Sequence, residues 1–105
     1  MSQLLILTNC PDEASANAIA LALVEERLAA CVNLLPRVQS IYRWQGAVES
    51  ASEIPLLIKS TATHYPALEQ RIVALHPYDL PEIVALPITD GLPAYLNWLA
   101  AETSE

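Results

Sequence analysis

Residues 76–83, His-Pro-Tyr-Asp-Leu-Pro-Glu-Ile, bring together the side chains of this chain that are best suited to chemistry. An imidazole, a phenol and two carboxylates lie close together here, and two prolines interrupt the run. Proline fixes its own φ and keeps the preceding residue out of the helical region. This segment, called the elbow below, therefore predicts a rigid polar loop that suits metal binding, catalysis or recognition.

His76 is the first candidate metal ligand in the elbow. An imidazole at this place could bind a metal or act as a general base. A second interpretation is structural, because a histidine in the last turn of a helix complements the helix dipole and caps free carbonyl groups. The sequence leaves both interpretations open.

Cys10 is the second candidate metal ligand. If Pro11 occupies the first helical position, Cys10 caps a helix N-terminus, which lowers the pKa of a thiol and favours thiolate. The alternative is a small capping residue without chemistry, and Cys31 is predicted to be a small buried hydrophobe. Because no CxxC or HxxxH spacing occurs, a metal site would be open, weak or shared between subunits. Mixed thiolate and imidazole ligands favour copper.

Aromatic side chains offer a different kind of site. Tyr42, Trp44 and Tyr78 could line a ligand cleft, although packing at a protein interface is the commoner role for such residues. Glu82 and Asp79 could act as a carboxylate pair. Otherwise Asp79 stabilises a turn, and Glu82 caps a helix or forms a salt bridge.

Catalysis is the weakest of the functional hypotheses. An enzyme would use His76 and Glu82 as acid and base, but the elbow lacks an evident nucleophile or oxyanion donor. The chain has two glycines and no Gly-rich phosphate loop, and no serine lies in a nucleophile-elbow pattern. We therefore expect a protein that is not an enzyme.

Composition limits the partners. Twelve acidic residues against five scattered basic ones give a net charge of −7, which argues against nucleic acid and anionic membranes as partners. The first residues lack a signal-peptide pattern, no apolar run approaches a membrane span, and two cysteines suit a reducing cytoplasm. Charged residues make up only 16% of the chain, so we expect part of the surface to be buried in a homo-oligomer.

Apolar spacing and proline or glycine breaks predict the elements that position these residues. They are a strand at residues 4–7, a helix from Pro11 to about Leu28, an extended segment at residues 31–45 interrupted at Pro36, a turn at Gly46, a strand at residues 54–60, a helix capped by Thr63 with Pro66 in its first turn, a strand at residues 83–88 and a helix opened by Pro93. The apolar run of the last strand predicts cover on both faces or a central place in the sheet.

The order of these elements is β-α-β-β-α-β with an extra C-terminal helix. It predicts a single domain, residues 1–105, of the α+β class with a ferredoxin-like split βαβ sandwich. In that topology the first and last strands are antiparallel neighbours, so Cys10 should lie near the elbow. The second and third strands form a hairpin whose residues 31–45 would reach ~50 Å at ~3.3 Å per residue, longer than one small core can cover.

Three ordered motifs resemble those of the CutA divalent-cation tolerance proteins. They are residues 27–33 (RLAACVN), residues 40–46 (SIYRWQG) and the elbow, and residues 95–98 (YLNW) fit as well. The resemblance implies a ferredoxin-like protomer in a very stable cytoplasmic homotrimer whose hairpins pair across subunits. It also implies a role in tolerance of copper and other divalent cations, without a catalytic reaction.

The same resemblance bears on the metal ligands and on a second function. Some bacterial members bind copper through a cysteine, which is Thr8 here, and a His-His pair, which is Leu75 and His76 here. His76 matches, and Cys10 is the thiol nearest in sequence to the missing cysteine. The alternative function is a signalling or scaffold trimer, similar in fold to nitrogen-regulatory signal proteins. It would bind a small molecule or partner protein in clefts lined by Tyr78, Glu82 and Trp44.

Overall fold

The computed structural model of the protein describes residues 2–104 and has an antiparallel sheet and three helices, which confirms the α+β class. The elements are β1 (Gln3–Cys10), α1 (Glu13–Glu25), β2 (Cys31–Leu34), β3 (Val38–Trp44), β4 (Ala47–Thr61), α2 (Tyr65–Leu75), β5 (Ile83–Pro87) and α3 (Pro93–Glu102). The predicted order is also confirmed, because β2 and β3 are the two parts of one extended segment that breaks around Pro36. Proline cannot donate to a strand ladder, which explains the break.

The four-strand part of the sheet has the order β2-β4-β1-β5, and β3 pairs with the far end of β4. β1 is antiparallel to β5, and Thr8 lies opposite Ile83, so the end of β1 adjoins the elbow as the sequence predicted. A central place for the last strand was wrong, because β5 forms an edge. Its apolar side chains Val84 and Leu86 are 44% and 45% exposed in the single chain.

One face of the sheet carries the hydrophobic core. Inward-facing residues of β1 and β4 pack there against the apolar stripes of α1 and α2. The largest members of this core are Ile6, Ile19, Leu23, Leu56, Ile58, Leu68 and Ile72, all fully buried. Full burial of one such side chain stabilises a fold by roughly 1.5–3 kcal/mol. This packing holds the end of β1 firmly beside the elbow.

The other face of the sheet is apolar but only partly covered. Leu5 lies opposite Leu86, and Leu7 lies between Val84 and Leu57 in the register. Directly opposed residues share a face. None of these five side chains is fully buried in the single chain, so this face still has apolar area that a second surface can cover.

A long hairpin extends beyond the sheet and makes the molecule 44 Å long against 25 and 23 Å in the other directions. β3 pairs only with residues 47–53 of β4, and the two strands form a ribbon. Gln45 and Gly46 connect them with φ values of 49° and 83°. Two positive φ values in a two-residue loop match the right-handed twist of hairpin strands. The predicted long hairpin with its turn at Gly46 is therefore confirmed.

The start of α1 differs from the prediction. Asp12, not Cys10, is the N-cap, and its carboxylate accepts the Ser15 backbone N–H and the Ser15 hydroxyl, both at 2.8 Å. The hydrogen bond from the Ser15 backbone N–H is the main cause of the lowered pKa of Asp12. A carboxylate is a strong capping group, so α1 begins at Glu13 and Cys10 stays in β1.

The two ends of α2 also differ slightly. His64 occupies the N-cap position that we assigned to Thr63. At the other end α2 stops at Leu75, and His76 has extended backbone angles, φ −75° and ψ 135°. Proline at the next position disfavours helical angles, so His76 is the first residue after the helix and not part of its last turn.

Candidate functional site

Asn9 at the end of β1 holds the elbow at two points. The His76 ring donates from Nε2 to the Asn9 carbonyl at 2.6 Å, and the Asn9 amide donates to Oε1 of Glu82 at 3.1 Å. The backbone N–H of Tyr78 donates to Nδ1 of His76 at 3.1 Å. Since Nδ1 accepts a hydrogen bond, this arrangement requires the neutral ring with its hydrogen on Nε2.

His76 consequently has a structural role in the single chain. Its ring is 7% exposed, and it stacks at a tilt on Tyr78 with ring centroids 4.8 Å apart. A neutral imidazole binds a metal through a nitrogen lone pair. That lone pair, on Nδ1, already accepts the Tyr78 N–H, so the ring would have to give up this bond to bind a metal.

Cys10 lies in the core and is fully buried. Burial raises the pKa of its thiol to about 11, and a hydrogen bond with the Ser15 hydroxyl opposes this only in part. The expected lowering of this pKa was wrong. Cys10 is the last residue of a buried strand and not the cap of a helix, so desolvation of the thiolate decides the direction of the shift.

These residues do not fit a metal site that one chain forms alone. Within residues 2–104, no three His, Cys, Asp or Glu side chains are grouped so that they could hold a metal ion. Thr8 is buried, and its hydroxyl oxygen has no hydrogen-bond partner in that part of the chain. His76 and Cys10 as metal ligands stay a prediction.

An open cleft lies between the elbow and the hairpin, with a cavity of about 970 Å³. Its walls are Ser40, Ile41, Tyr42 and Trp44 of β3, Glu53 of β4, and residues 77–82 of the elbow. Tyr42 and Trp44 alternate along β3 and so lie on one face of the strand. The structure therefore brings together the three aromatic residues that the sequence proposed as cleft walls, with Tyr78 on the elbow side.

The cleft is acidic and partly buried. Glu53 is 7% exposed, and the Tyr78 hydroxyl donates to its Oε2 at 3.0 Å. Burial, followed by this hydrogen bond, raises the pKa of Tyr78 to about 12, so its hydroxyl keeps its proton at neutral pH. Asp79 and Glu82 add two more carboxylates, and no basic side chain is among the residues lining the cleft.

Sequence reasoning missed Glu53 and Asn9. Glu53 lies where β4 leaves the four-strand part of the sheet, between an exposed ribbon residue and the buried Ile54. The pattern of exposed and buried residues in β4 changes at Glu53, so no periodicity in the sequence indicates that this side chain is buried. Asn9 acts through its backbone carbonyl as well as its side chain, and only the pairing of β1 with β5 shows that it faces the elbow.

Comparisons with known proteins agree with this fold. A sequence model of the CutA1 divalent ion tolerance protein family matches residues 4–102. The chain belongs to the CutA1 family. The divalent-cation tolerance protein CutA of Thermus thermophilus is 55% identical to this chain over 98 residues, which cover 93% of this chain and 95% of that protein.

Solved CutA structures share the whole architecture. CutA from Xylella fastidiosa superposes with a TM-score of 0.96 at 50% identity, covering 99% of this chain and 100% of that one. The CutA of Archaeoglobus fulgidus, described as periplasmic, gives a TM-score of 0.94 at 31% identity, with 97% and 99% covered. Among residues 2–104 of this CutA1 family member, no helix is long and apolar enough to cross a membrane.

Proposed function

We propose that this chain acts in divalent-cation tolerance as a cytoplasmic homotrimer and binds rather than catalyses. Copper or another divalent metal would bind weakly at a cleft between subunits. Membership of the CutA1 family supports the tolerance role. The observation that carries the binding proposal is the acidic cleft, whose carboxylates Glu53, Asp79 and Glu82 have no basic neighbour among the lining residues.

The partly covered sheet face and the long ribbon support the oligomer. Val84 and Leu86 on edge strand β5 are exposed beside the partly buried Leu5 and Leu7, and a contiguous apolar patch of this kind suits a protein interface. In such an assembly, carboxylates of neighbouring subunits would supplement one another. A metal site shared between subunits would supply the ligands that one chain lacks.

Calorimetry with Cu(I) and with Cu(II) tests this proposal. We expect the assembled wild-type protein to bind copper, and His76→Ala to bind it more weakly. His64→Ala is the matched control, since His64 is the other histidine of the chain and lies at the opposite end of α2 from His76. Equal affinity of wild type and His76→Ala would exclude His76 as a ligand, and no copper binding at all would contradict the metal site.

A second candidate function is a signalling or scaffold trimer that binds a small molecule or a partner protein. The cleft favours it, because about 970 Å³ and walls formed by Tyr42, Trp44 and Tyr78 suit an organic ligand better than a bare ion. The likeness to nitrogen-regulatory signal proteins concerns the fold alone.

A further inference from the structure

We propose that the cleft between the elbow and the hairpin binds a small organic cation with a flat apolar body. This inference goes beyond metal tolerance, and it names the ligand chemistry of the second candidate function, on which it rests. Three features of the cleft support it: aromatic faces, a buried carboxylate and the lack of a basic side chain among its lining residues.

The aromatic faces come from both walls. Tyr42 and Trp44 line the hairpin side, and each keeps nearly half of its surface exposed in the single chain. Tyr78 stands on the elbow side, and its ring is fixed by the contact with His76. The face of an aromatic ring carries negative potential and attracts a cation, most strongly for Trp. A flat cation placed between these walls would contact ring faces from both sides.

Glu53 provides the charge inside the cleft. It is nearly buried, and its hydrogen bond from Tyr78 fixes the carboxylate without neutralising it. A charge interaction at low solvent exposure is much stronger than the same interaction at the surface. Glu82, which Asn9 orients, and Asp79 extend the negative potential to the rim.

Within a single chain, the lining suits an organic cation better than a metal ion, which would need further ligands from a second subunit. Divalent metals require several converging oxygen, nitrogen or sulfur ligands. The described residues contain no group of three such side chains. Ile41, Leu80 and the prolines of the elbow provide apolar area that a hydrated ion cannot use. An amidinium or alkylammonium group on an apolar ring would use both the carboxylate and this area.

Benzamidine and its neutral analogue benzamide are a matched pair of probes. They share size and shape, and only benzamidine carries a positive charge at neutral pH. We expect calorimetry on the full-length assembled protein to show benzamidine binding at least about tenfold more tightly than benzamide, the size of a desolvated cation–aromatic and charge interaction.

Two pairs of variants assign the binding to the cleft. Glu53→Gln keeps an acceptor for Tyr78 but removes the charge, so benzamidine affinity should fall severalfold, toward that of benzamide. Glu25→Gln, an exposed residue of α1, makes the same change in net charge and should leave affinity unchanged. Trp44→Leu should weaken benzamidine binding, and Trp44→Phe should retain most of it because an aromatic face remains.

Three results would overturn the proposal. One is equal affinity for benzamidine and benzamide in a wild-type protein that is folded by circular dichroism. Another is an equal loss in Glu53→Gln and Glu25→Gln. The third is that the wild type fails to bind benzamidine whereas the Arg43→Gln variant binds it. Arg43 has no ion pair or side-chain hydrogen bond within the described residues, so that result would assign the cleft to the arginine of a second copy.

The outcome is separable from that of the metal proposal. Copper binding is measured without benzamidine, and it depends on His76 in that proposal. Benzamidine binding depends on Glu53 and Trp44. Either proposal can therefore fail while the other holds.

Discussion

His76 shows how one hydrogen-bond pattern decides what an imidazole can do. Its Nε2–H group donates a hydrogen bond to the Asn9 carbonyl oxygen, and its Nδ1 atom accepts one from the Tyr78 N–H. The sequence identified the right residue, because a histidine between an α-helix and a proline is conspicuous. It could not identify the role, since the partner carbonyl lies 67 residues away and is brought there only by strand pairing.

Cys10 and Cys31 should differ in reactivity toward a thiol reagent. Cys10 is fully buried and its pKa is raised to about 11, chiefly by burial, so almost no thiolate forms at pH 8. Cys31 is only partly buried. We expect iodoacetamide at pH 8 to modify Cys31 well before Cys10 in the folded protein, as measured by mass spectrometry over time.

The single variants Cys10→Ser and Cys31→Ser assign each modification to its residue. Unfolding in guanidinium chloride should make the two thiols react at similar rates, because the buried environment of Cys10 is then lost. Modification of Cys10 in the native protein as fast as Cys31 would contradict the burial that raises its pKa.

At the scale of elements, prolines and apolar spacing predicted the strands and helices well, whereas the residues that cap the helices were predicted poorly. Pro36 separated β2 from β3 and Pro93 opened α3 as expected. The cap of α1 was missed because Cys10-Pro11-Asp12 offers two plausible starts, and only the length of β1 excludes the first. The edge position of β5 was missed because an apolar run looks the same in a central strand and in an edge strand that a partner covers.

The turn of the long hairpin gives a test at this scale. Gly46 has φ +83°, and a Cβ there would meet no atom within 4 Å. Gly46→Ala should therefore lower the free energy of unfolding through backbone strain alone, by about 1 kcal/mol. Urea unfolding measures this difference.

Gln45 provides the opposite change at the same turn. Its φ of 49° is unusual for glutamine, and asparagine tolerates this region better. Gln45→Asn should raise the free energy of unfolding while Gly46→Ala lowers it. Equal stability of both variants and the wild type would mean that the turn conformation differs from the one described.

For the whole molecule, the shape of one chain predicts association. A chain that is 44 Å long has a two-strand ribbon and a half-covered sheet face on which Val84 and Leu86 are exposed, and contiguous exposed apolar patches mark interaction surfaces. The low content of charged residues had already predicted an oligomer from the sequence. The sequence could not show where the area lies, because that depends on which face α1 and α2 cover.

Light scattering tests the predicted trimer. We expect a mass of three times the 11.5 kDa chain for the wild type. Val84→Glu puts a charge on the partly covered sheet face and should shift the population toward smaller species, because burial of an unpaired charge is costly. Leu21→Glu on the exposed outer side of α1 should keep the wild-type mass. Circular dichroism confirms that each variant is folded, and a monomeric wild type would contradict the trimer.

β4 is one uninterrupted strand that lies in two different surroundings. Residues 54–61 pair with β1, and four of them also pair with β2 on the other side, whereas residues 47–53 pair only with β3. A ribbon of two strands is marginally stable in water. Amide hydrogen exchange along β4 should therefore change abruptly near Glu53 in separated chains and become uniform when a neighbour supports the ribbon. The exchange rates of successive amides in this one strand thus report whether subunits are associated.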